Sequence, residues 1–514
     1  MQPILHVIVV GFDHKKGCQV EFCYPPFPNS AATSNPDQDL PSAWANLPTL
    51  AIPDQCHTST ADTVFFTIPA VENPNQTVFG ISCYRQIESN DLLSKDESMT
   101  RNYVQKSVCV LSTIPLFGTL KDKLELITQS YFEEKDFSKA SPTEERQSLI
   151  LFLVQVDVLK QMHSNLTDIF DGPSLDSIYM GVALEPLLRI FKHRILELIK
   201  LVLLERKIIF ELHPTNVLSD VMIGLASLFP CLIESGLFES AAYVAHDHER
   251  KAEESARVRN EHGFPLQIFT KGNIFLPYQS INGIDELRNP NVRGYCIGVT
   301  NGIYKLNQDL YDVYVTVNRP KKGAALIEYN SGELAQKVAL TTQDTRFMNS
   351  ILKTAADAKQ TPAEFNGNDD WICMQLYLYL CSMFNAATKG NEHVPEYNAE
   401  FIRLWKETHN FQGHEKLAQI SSIHPSAGPL SAQDLIALVG HQFNHFGQNH
   451  AVMATLSTAG KYLSEQSSRL RTTFSSWIHR SGSNRGNPPP GGDAESTKVN
   501  GGVSGPNRGA SPLD

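Results

Sequence analysis

The sequence predicts a protein of the α/β plus α class, because three kinds of pattern follow one another along its 514 residues. Strand patterns dominate up to about residue 119, strands then alternate with helical patterns up to about residue 330, and helical patterns alone follow. Alternation of strands with helices is typical of a largely parallel sheet covered by helices. We therefore expect a mixed α/β part, then a three-layer α/β part, then a helical part.

The first part opens with two strands and a charged turn. The unbroken apolar run at residues 5–10 is typical of a strand buried on both faces, and residues 18–24 alternate as a half-buried partner strand does. Between them, a seven-residue turn is predicted, which presents four candidate contact residues at one edge of the sheet: Asp13, His14, Lys15 and Lys16. A solvated hairpin loop is the alternative interpretation of these four residues.

Three further strands complete the first part. Their patterns lie at residues 62–68, 76–86 and 107–112, and the proline-rich residues 25–39 separate them from the opening hairpin. Because repeated prolines cannot continue a strand ladder, residues 25–39 are expected to form a loop. A mixed sheet with flanking helices accounts for these patterns.

The second part contains a helix, a charged corner and a strand in immediate succession. Residues 192–204 carry a wide apolar face at helical spacing, Glu205-Arg206-Lys207 ends it, and residues 208–212 form an aliphatic strand. We interpret the charged corner as a structural helix stop rather than a contact surface. Another helix is predicted at residues 217–230, and further strands at 265–278, 294–300 and 311–317. Residues 246–262 are almost wholly charged and are interpreted as a solvated insertion.

The third part is helical, with patterns at residues 347–358, 370–384, 397–409 and 432–446. A separate amphipathic helix is predicted at residues 452–477, where one face is apolar and the other carries Ser and Thr. Such a face favours membrane binding by apolar insertion, and packing against the helical part or a partner is the alternative. The candidate membrane-binding residues are Leu456, Leu463, Leu470, Phe474 and Trp477. Residues 481–514 are rich in Gly, Ser and Pro, which predicts a disordered tail.

Composition and motifs exclude several classes of function. The formal charge of −11 argues against nucleic acid as a general partner. The start of the chain lacks a signal-peptide pattern and the longest apolar run is too short for a bilayer, so we expect a cytoplasmic protein without a transmembrane segment. The nine cysteines include no C-x-x-C pair, and the chain lacks a P-loop, an H-E-x-x-H and a G-x-S-x-G motif. No cofactor, no metal and no hydrolase, transferase or oxidoreductase site is therefore expected.

Three stretches carry a resemblance to a known family: residues 9–26 (VVGFDHKKGCQVEFCYPP), 77–87 (TVFGISCYRQI) and 131–137 (YFEEKDF). They resemble the Avl family of late secretory pathway proteins, a branch of the DENN-domain superfamily, and the similarity continues to about Asn410. Residues 138–155 depart from the family pattern. The resemblance implies a longin-like upstream module at 1–130, a central α/β module at 131–330 and a helical downstream module at 331–450. The amphipathic helix at 451–480 and the tail at 481–514 follow.

The resemblance also implies a function. It suggests a peripheral protein of Golgi-derived or endosomal membranes that acts in transport to the cell surface and promotes GDP/GTP exchange on a Rab-type small GTPase. An exchange factor works by binding the nucleotide-free GTPase more tightly than the loaded one, which requires a shaped surface rather than catalytic residues. The charged turn then becomes a candidate GTPase-binding site, and residues 452–477 a contact with membrane lipid. The alternative is a noncatalytic scaffold or effector that binds an active GTPase and lipid.

Overall fold

A computed structural model describes most of the chain up to residue 434. The described residues are 3–28, 36–93, 102–133, 135, 137, 157–168, 183–230, 232–241, 266–318, 324–358, 366–388, 396–411, 428–431 and 434. All of them belong to one of two compact units, Met1–Tyr462. Our predictions for residues 138–155, 246–262 and 451–514, and for nearly all of 432–446, lie outside the described residues. The α/β plus α class is confirmed, since the described residues form two sheets and several helices.

The first sheet has five strands: β1 (Ile4–Asp13), β2 (Gly17–Tyr24), β3 (Ala61–Pro69), β4 (Thr77–Glu88) and β5 (Tyr103–Ser112). They lie in the order β2-β1-β5-β4-β3, and every neighbouring pair is antiparallel. The expectation of a mixed sheet is therefore wrong. Parallel pairing needs a long crossover, and the strands joined by the long connection, β2 and β3, lie at opposite edges instead of pairing.

The opening hairpin is tighter than predicted. β1 and β2 pair as far as Asp13 and Gly17, so three residues form the turn instead of seven. The Asp13 carboxylate accepts the backbone N–H of Lys15 at 2.7 Å and that of Lys16 at 2.9 Å, which fixes the turn locally. Gly17 has a φ of +82°, which suits the residue that follows a three-residue hairpin turn.

Two helices cover opposite faces of the first sheet: α1 (Leu47–Ala51) and α2 (Phe117–Glu133). The Ser82 hydroxyl donates to the Ala51 carbonyl at 2.8 Å on one face. On the other face the rings of Phe79 and Phe117 lie 5.7 Å apart. Since successive strand residues point to opposite faces, the odd and even positions of β4 contact different helices. The predicted flanking helices are thus confirmed. A third helix, α3, follows at residues 157–168.

The second sheet also has five strands: β6 (Lys207–Glu211), β7 (Asn273–Leu276), β8 (Gly294–Val299), β9 (Val313–Asn318) and β10 (Ala324–Tyr329). Their order is β10-β9-β6-β8-β7. β6, β7, β8 and β9 are parallel, and β10 is antiparallel to β9. The prediction of a largely parallel sheet is confirmed, and the three-layer arrangement stays a prediction. Sequence patterns missed β10, because this edge strand is only partly buried and lacks a regular apolar alternation.

The helices beside this sheet are α4 (Glu185–Phe191), α5 (Ile195–Leu203), α6 (Thr215–Ser227) and α7 (Ile303–Leu306). The predicted helix at residues 192–204 begins as a 3-10 turn, Lys192–Arg194, and continues as α5. The charged corner after it has a structural role, as predicted. Glu205 has a φ of +52°, and its carboxylate accepts from the backbone and side-chain N–H groups of Asn410 at 3.0 Å and 2.9 Å. The Arg293 guanidinium pairs with the same carboxylate at 3.0 Å.

The third part contains α8 (Gly332–Lys337), α9 (Thr342–Ala358), α10 (Asp369–Thr388) and α11 (Ala399–Lys406). The helices predicted at 347–358, 370–384 and 397–409 are confirmed with shifted ends. α9 begins earlier because Thr341 and Asp344 form a capping box, in which each side chain accepts the backbone N–H of the other at 3.1 Å and 3.0 Å.

Candidate functional site

The two sheets meet through side-chain bonds between their edge strands. The Thr67 hydroxyl of β3 donates to the Phe275 carbonyl of β7 at 2.9 Å, and the Phe65 backbone N–H donates to the Ser219 hydroxyl of α6 at 3.0 Å. An edge strand presents backbone groups without a ladder partner, and these bonds satisfy them. These bonds join the two sheets at their edges.

Helix α6 receives its N-terminal cap from the first sheet. The Asp62 carboxylate, at the start of β3, accepts the backbone N–H of Thr215 at 2.9 Å and that of Asn216 at 2.8 Å. Pro214, which precedes the helix, makes no capping bond of its own. An acidic side chain at a helix N-terminus satisfies free N–H groups and complements the helix dipole. Lys121 of α2 also pairs with Asp220 of α6 at 3.0 Å.

A polar recess opens beside this junction, and we call it the inter-sheet cleft. Its volume is about 340 Å³, and its lining residues are Asp54, Gln55, Cys56, Thr58, Ser59, Asp62, His213, Pro214 and Thr215. Three hydrogen bonds to residues that follow strands β7 and β8 hold Asp54. Its N–H donates to the Tyr278 hydroxyl at 2.8 Å, its carbonyl accepts from the Thr300 hydroxyl at 2.9 Å, and its carboxylate accepts the Ile281 N–H at 2.9 Å.

Burial shifts the pKa values of two titratable groups of the cleft, Asp54 and Cys56. Burial raises the pKa of Asp54, and the Ile281 N–H opposes this shift. Burial also raises the pKa of the Cys56 thiol to about 12, so this cysteine stays protonated and is a poor nucleophile. In the part of the chain that the structure describes, no three His, Cys, Asp or Glu side chains converge to hold a metal ion.

The predicted contact residues of the opening hairpin form one small surface. Asp13, Lys15 and Lys16 are exposed, whereas His14 is half-buried with its ring 6.0 Å from that of Phe12. The N–H groups of Lys15 and Lys16 hold the pKa of Asp13 below its usual range. The hairpin therefore brings all four predicted residues together.

The hairpin turn and the cleft lie at the same end of the first sheet. Gly11 pairs with Lys106, Lys106 with Arg85, and Arg85 with Ala61, the residue before Asp62. Four strand spacings separate β2 from β3, a distance of about 19 Å. The two features therefore share one rim without touching. Sequence analysis missed the cleft, because the residues that meet there, such as Asp62 and Thr215, are 153 positions apart.

The sequence also led us to expect no transmembrane segment and no disulfide framework. All of the described cysteines are free, and burial raises the pKa of Cys109 well above its usual value. None of the helices in the described ranges has the length and apolar character needed to cross a bilayer. The candidate membrane-binding residues lie outside the described residues: Leu456, Leu463, Leu470, Phe474 and Trp477.

Comparison with known proteins gives consistent matches. The family model described as "Transport protein Avl9" matches residues 4–387, which include both sheets and the cleft. The Saccharomyces cerevisiae protein "Late secretory pathway protein AVL9" is 27% identical over 468 residues, covering 79% of this chain and 58% of the yeast protein. The Schizosaccharomyces pombe protein "Late secretory pathway protein avl9" is 28% identical over 438 residues, covering 80% of this chain and 86% of that protein. This chain thus spans little more than half the length of the first relative. Because the family model covers well over half of the residues, the chain belongs to the Avl9 family of transport proteins.

Proposed function

We propose that this chain acts in the late secretory pathway, in transport from the Golgi to the cell surface. Two related proteins carry that pathway in their names, and the family match extends over residues 4–387. The yeast relatives are only 27% and 28% identical, so they support the pathway rather than a specific partner.

The proposed activity is GDP/GTP exchange on a Rab-type small GTPase, as the resemblance to DENN proteins implies. One observation carries this proposal: the edges of the two sheets are joined by side-chain bonds, and a polar cleft at this junction and a charged hairpin lie at the same end of the first sheet. An exchange factor must bind the nucleotide-free GTPase more tightly than the nucleotide-loaded one. A protein that bound both forms with equal affinity would not shift the equilibrium between them. A preformed binding surface distinguishes the two forms of the GTPase by shape and charge, without acid or base chemistry.

The cleft and the hairpin act together in this proposal. The cleft receives a surface loop of the GTPase, while Lys15 and Lys16, about 19 Å away by strand spacing, contact a second site on the same partner. Exposed lysines steer association with an acidic surface, and their effect falls as salt rises. Two separate contacts fix the orientation of the partner on the rim.

The test is release of a fluorescent GDP analogue from a panel of purified Rab proteins, with the full chain added. We expect acceleration on one or a few Rab proteins. Two variants should reduce it: Thr58→Arg, which fills the cleft, and the double charge reversal Lys15→Glu with Lys16→Glu. The matched control is Arg346→Glu with Lys353→Glu, which makes the same change of charge on exposed residues of α9, a helix that contributes no residue to the cleft or to the hairpin.

Each result has a definite meaning. Acceleration that the rim variants reduce and the control leaves unchanged supports exchange and identifies the GTPase. No acceleration on any Rab, together with preferential capture of a GTP-loaded Rab over its nucleotide-free form, contradicts exchange and favours the scaffold or effector function.

A further inference from the structure

A group of cations without ion-pair partners lies where the second sheet's helices meet the helical part. We call it the basic face and define it by Lys192, His193, Arg346 and Lys353, all of which are exposed. Within the described part of the chain, none of these four side chains makes an ion pair or a hydrogen bond. Their neighbours Arg189 and Arg194 differ, since they pair with Glu185 and Glu197.

Helix α9 presents two of these cations on one surface. Its buried face is formed by Asp344, Phe347, Met348 and Ile351. Arg346, Asn349 and Lys353 are exposed and follow one another at steps of three and four residues, so they share the opposite face. Seven residues of helix separate Arg346 from Lys353, a rise of about 10 Å along the axis.

The other two members adjoin α9. Cα atoms of the 3-10 turn Lys192–Arg194 lie within 8 Å of Cα atoms of α9, so the turn packs directly against this helix. Glu185 and Glu197, beside the turn, are already paired, and Asp357 lies one turn beyond Lys353 on α9. Asp369 accepts the backbone N–H of Leu184 at 3.2 Å, in the segment that packs against the end of α9. Lys192, Arg346 and Lys353 are thus three permanent cations without ion-pair partners in the described part of a chain whose formal charge is −11.

The backbone of Lys192 is in a conformation that lysine rarely adopts. Its φ is +51° and its ψ is −128°, which are the angles of the first central residue of a type II′ turn, a position that favours glycine. Strained residues persist where the surrounding structure fixes them, and they concentrate at functional sites. Lys192 therefore combines a strained backbone with an exposed, unpaired charge beside α9.

We propose that the basic face binds the anionic headgroup layer of a membrane. Protein partners are recognised through a desolvated centre enriched in aromatic and apolar side chains. None of the exposed large hydrophobic residues of the described chain lies in Lys192–Arg194 or in α9. Charge alone is therefore available for recognition, which suits a lipid surface. This inference goes beyond the proposed exchange activity, since it uses no residue of the rim.

The experiment measures partitioning of the full chain onto phosphatidylcholine vesicles with and without phosphatidylserine. We expect Arg346→Glu with Lys353→Glu to reduce partitioning onto the anionic vesicles by at least about tenfold. The matched control reverses two other exposed cations, Lys123→Glu with Lys160→Glu, and should change partitioning by less than about twofold. Raising the ionic strength from about 0.1 M to about 1 M should abolish the difference, because the screening length falls from about 10 Å to about 3 Å.

A second variant separates binding from folding. Lys192→Gly removes one cation and relieves the backbone strain, so we expect a higher melting temperature together with an approximately fivefold loss of partitioning. Reduced binding in a more stable protein cannot come from misfolding.

Three outcomes overturn the proposal. They are unchanged partitioning of the Arg346 and Lys353 variant, an equal loss in the control, and binding of soluble inositol phosphates that depends on the basic face without any binding of vesicles. The vesicle assay contains no GTPase and the GDP-release assay contains no lipid, so failure of one proposal is distinguishable from failure of the other.

Discussion

Lys200 shows how tertiary burial changes the role of a single charged residue. Its ammonium lies 2.6 Å from the Asp344 carboxylate, and both side chains are fully buried. The carboxylate also accepts from the Tyr379 hydroxyl at 2.9 Å and from the Thr341 N–H at 3.0 Å. Removing two charges from water is costly, and only a fully hydrogen-bonded arrangement offsets that cost. The pair therefore fixes where α5 docks on the helical part.

Breaking this pair from one side should be strongly destabilising. We expect Lys200→Met to lower the free energy of unfolding by about 3–5 kcal/mol, because it leaves a buried carboxylate without its cation. Adding Asp344→Asn should recover at least half of that loss. The measurement is urea unfolding of the single and double variants.

The control is Lys337→Met, which removes the cation of an ion pair with Glu333, whose side chain is 81% exposed. It should change the free energy of unfolding by no more than about 0.5 kcal/mol. A cost for Lys200→Met as small as that of the control contradicts the role assigned to the buried pair.

Asp54, which lines the cleft, makes the free energy of unfolding of the protein depend on pH. Burial raises the pKa of this carboxyl in the folded state above its unfolded value, so protonation favours the fold. Its stabilising contribution is fully present below the unfolded pKa and is lost as pH rises through the folded pKa. Asp54→Asn should therefore be more stable than the wild type at neutral pH, with a gap that closes as the solution is acidified. Thermal unfolding across a pH series measures the gap.

Asp13 provides the opposite control, because backbone N–H groups hold its pKa below the usual range. Its contribution is present above the unfolded pKa and is lost as pH falls through the folded one. Asp13→Asn should therefore be less stable than the wild type at neutral pH. The same sign of change for both variants would contradict this assignment.

At the scale of elements, the start of α6 depends on the first sheet. Asp62 caps this helix from β3, and Ser219 of the same helix satisfies the edge of β3 in return. The two elements thus complete each other's hydrogen bonding. A helix end buried without such partners costs free energy for each unsatisfied N–H.

Removing the cap should weaken this junction. We expect Asp62→Ala to lower the free energy of unfolding by about 2 kcal/mol, since two helix N–H groups lose their acceptor. Asp62→Asn keeps one acceptor oxygen and should cost about half as much. Urea unfolding compares the two variants, and hydrogen exchange at Thr215 and Asn216 shows whether the loss is local to the start of α6. Equal stability of Asp62→Ala and the wild type excludes a capping role.

At the scale of the whole molecule, two surfaces are assigned to two different partners. The rim with its cleft faces the proposed GTPase, and the basic face on α9 faces the proposed membrane. The sequence predicts a third contact, because residues 452–477 carry an apolar stripe suited to insertion. Insertion depends on apolar area rather than charge, so its contribution should resist salt, unlike that of the basic face.

The apolar stripe gives a prediction for the whole protein. Changing Leu470, Phe474 and Trp477 together to Asp should move the protein from the membrane to the cytosol and reduce vesicle flotation, since charges oppose insertion. The matched control places the same three charges on the polar face, at Thr458, Ser468 and Ser476. If flotation persists in the first variant, the insertion hypothesis is wrong.

Sequence patterns predicted the local elements where burial was regular. The run that forms β1 and the apolar face of α5 are examples, and most of their residues are buried. The patterns failed where apolar periodicity carries no signal. The opening turn is three residues long, held by the local bonds of Asp13 to two N–H groups, and the edge strand β10 lacks the full burial that produces a regular pattern.

The sequence by itself determined the fold class, the family and the hairpin that brings Asp13 to Lys16 together. The fold class and the hairpin follow from periodicity and from residues close together in the chain, and the family follows from the resemblance of residues 9–26, 77–87 and 131–137. Only the tertiary structure decided the inter-sheet cleft, the cap of α6 by Asp62, the partner of Lys200 and the meeting of Lys192 with α9. Asp62 and Thr215 are 153 positions apart, and Lys200 and Asp344 are 144 apart. The topology of the chain, rather than local propensity, brings such residues into contact. The hydrogen-bonding or charged partner of each residue lies on a distant element, which reaches it only when the intervening chain has folded.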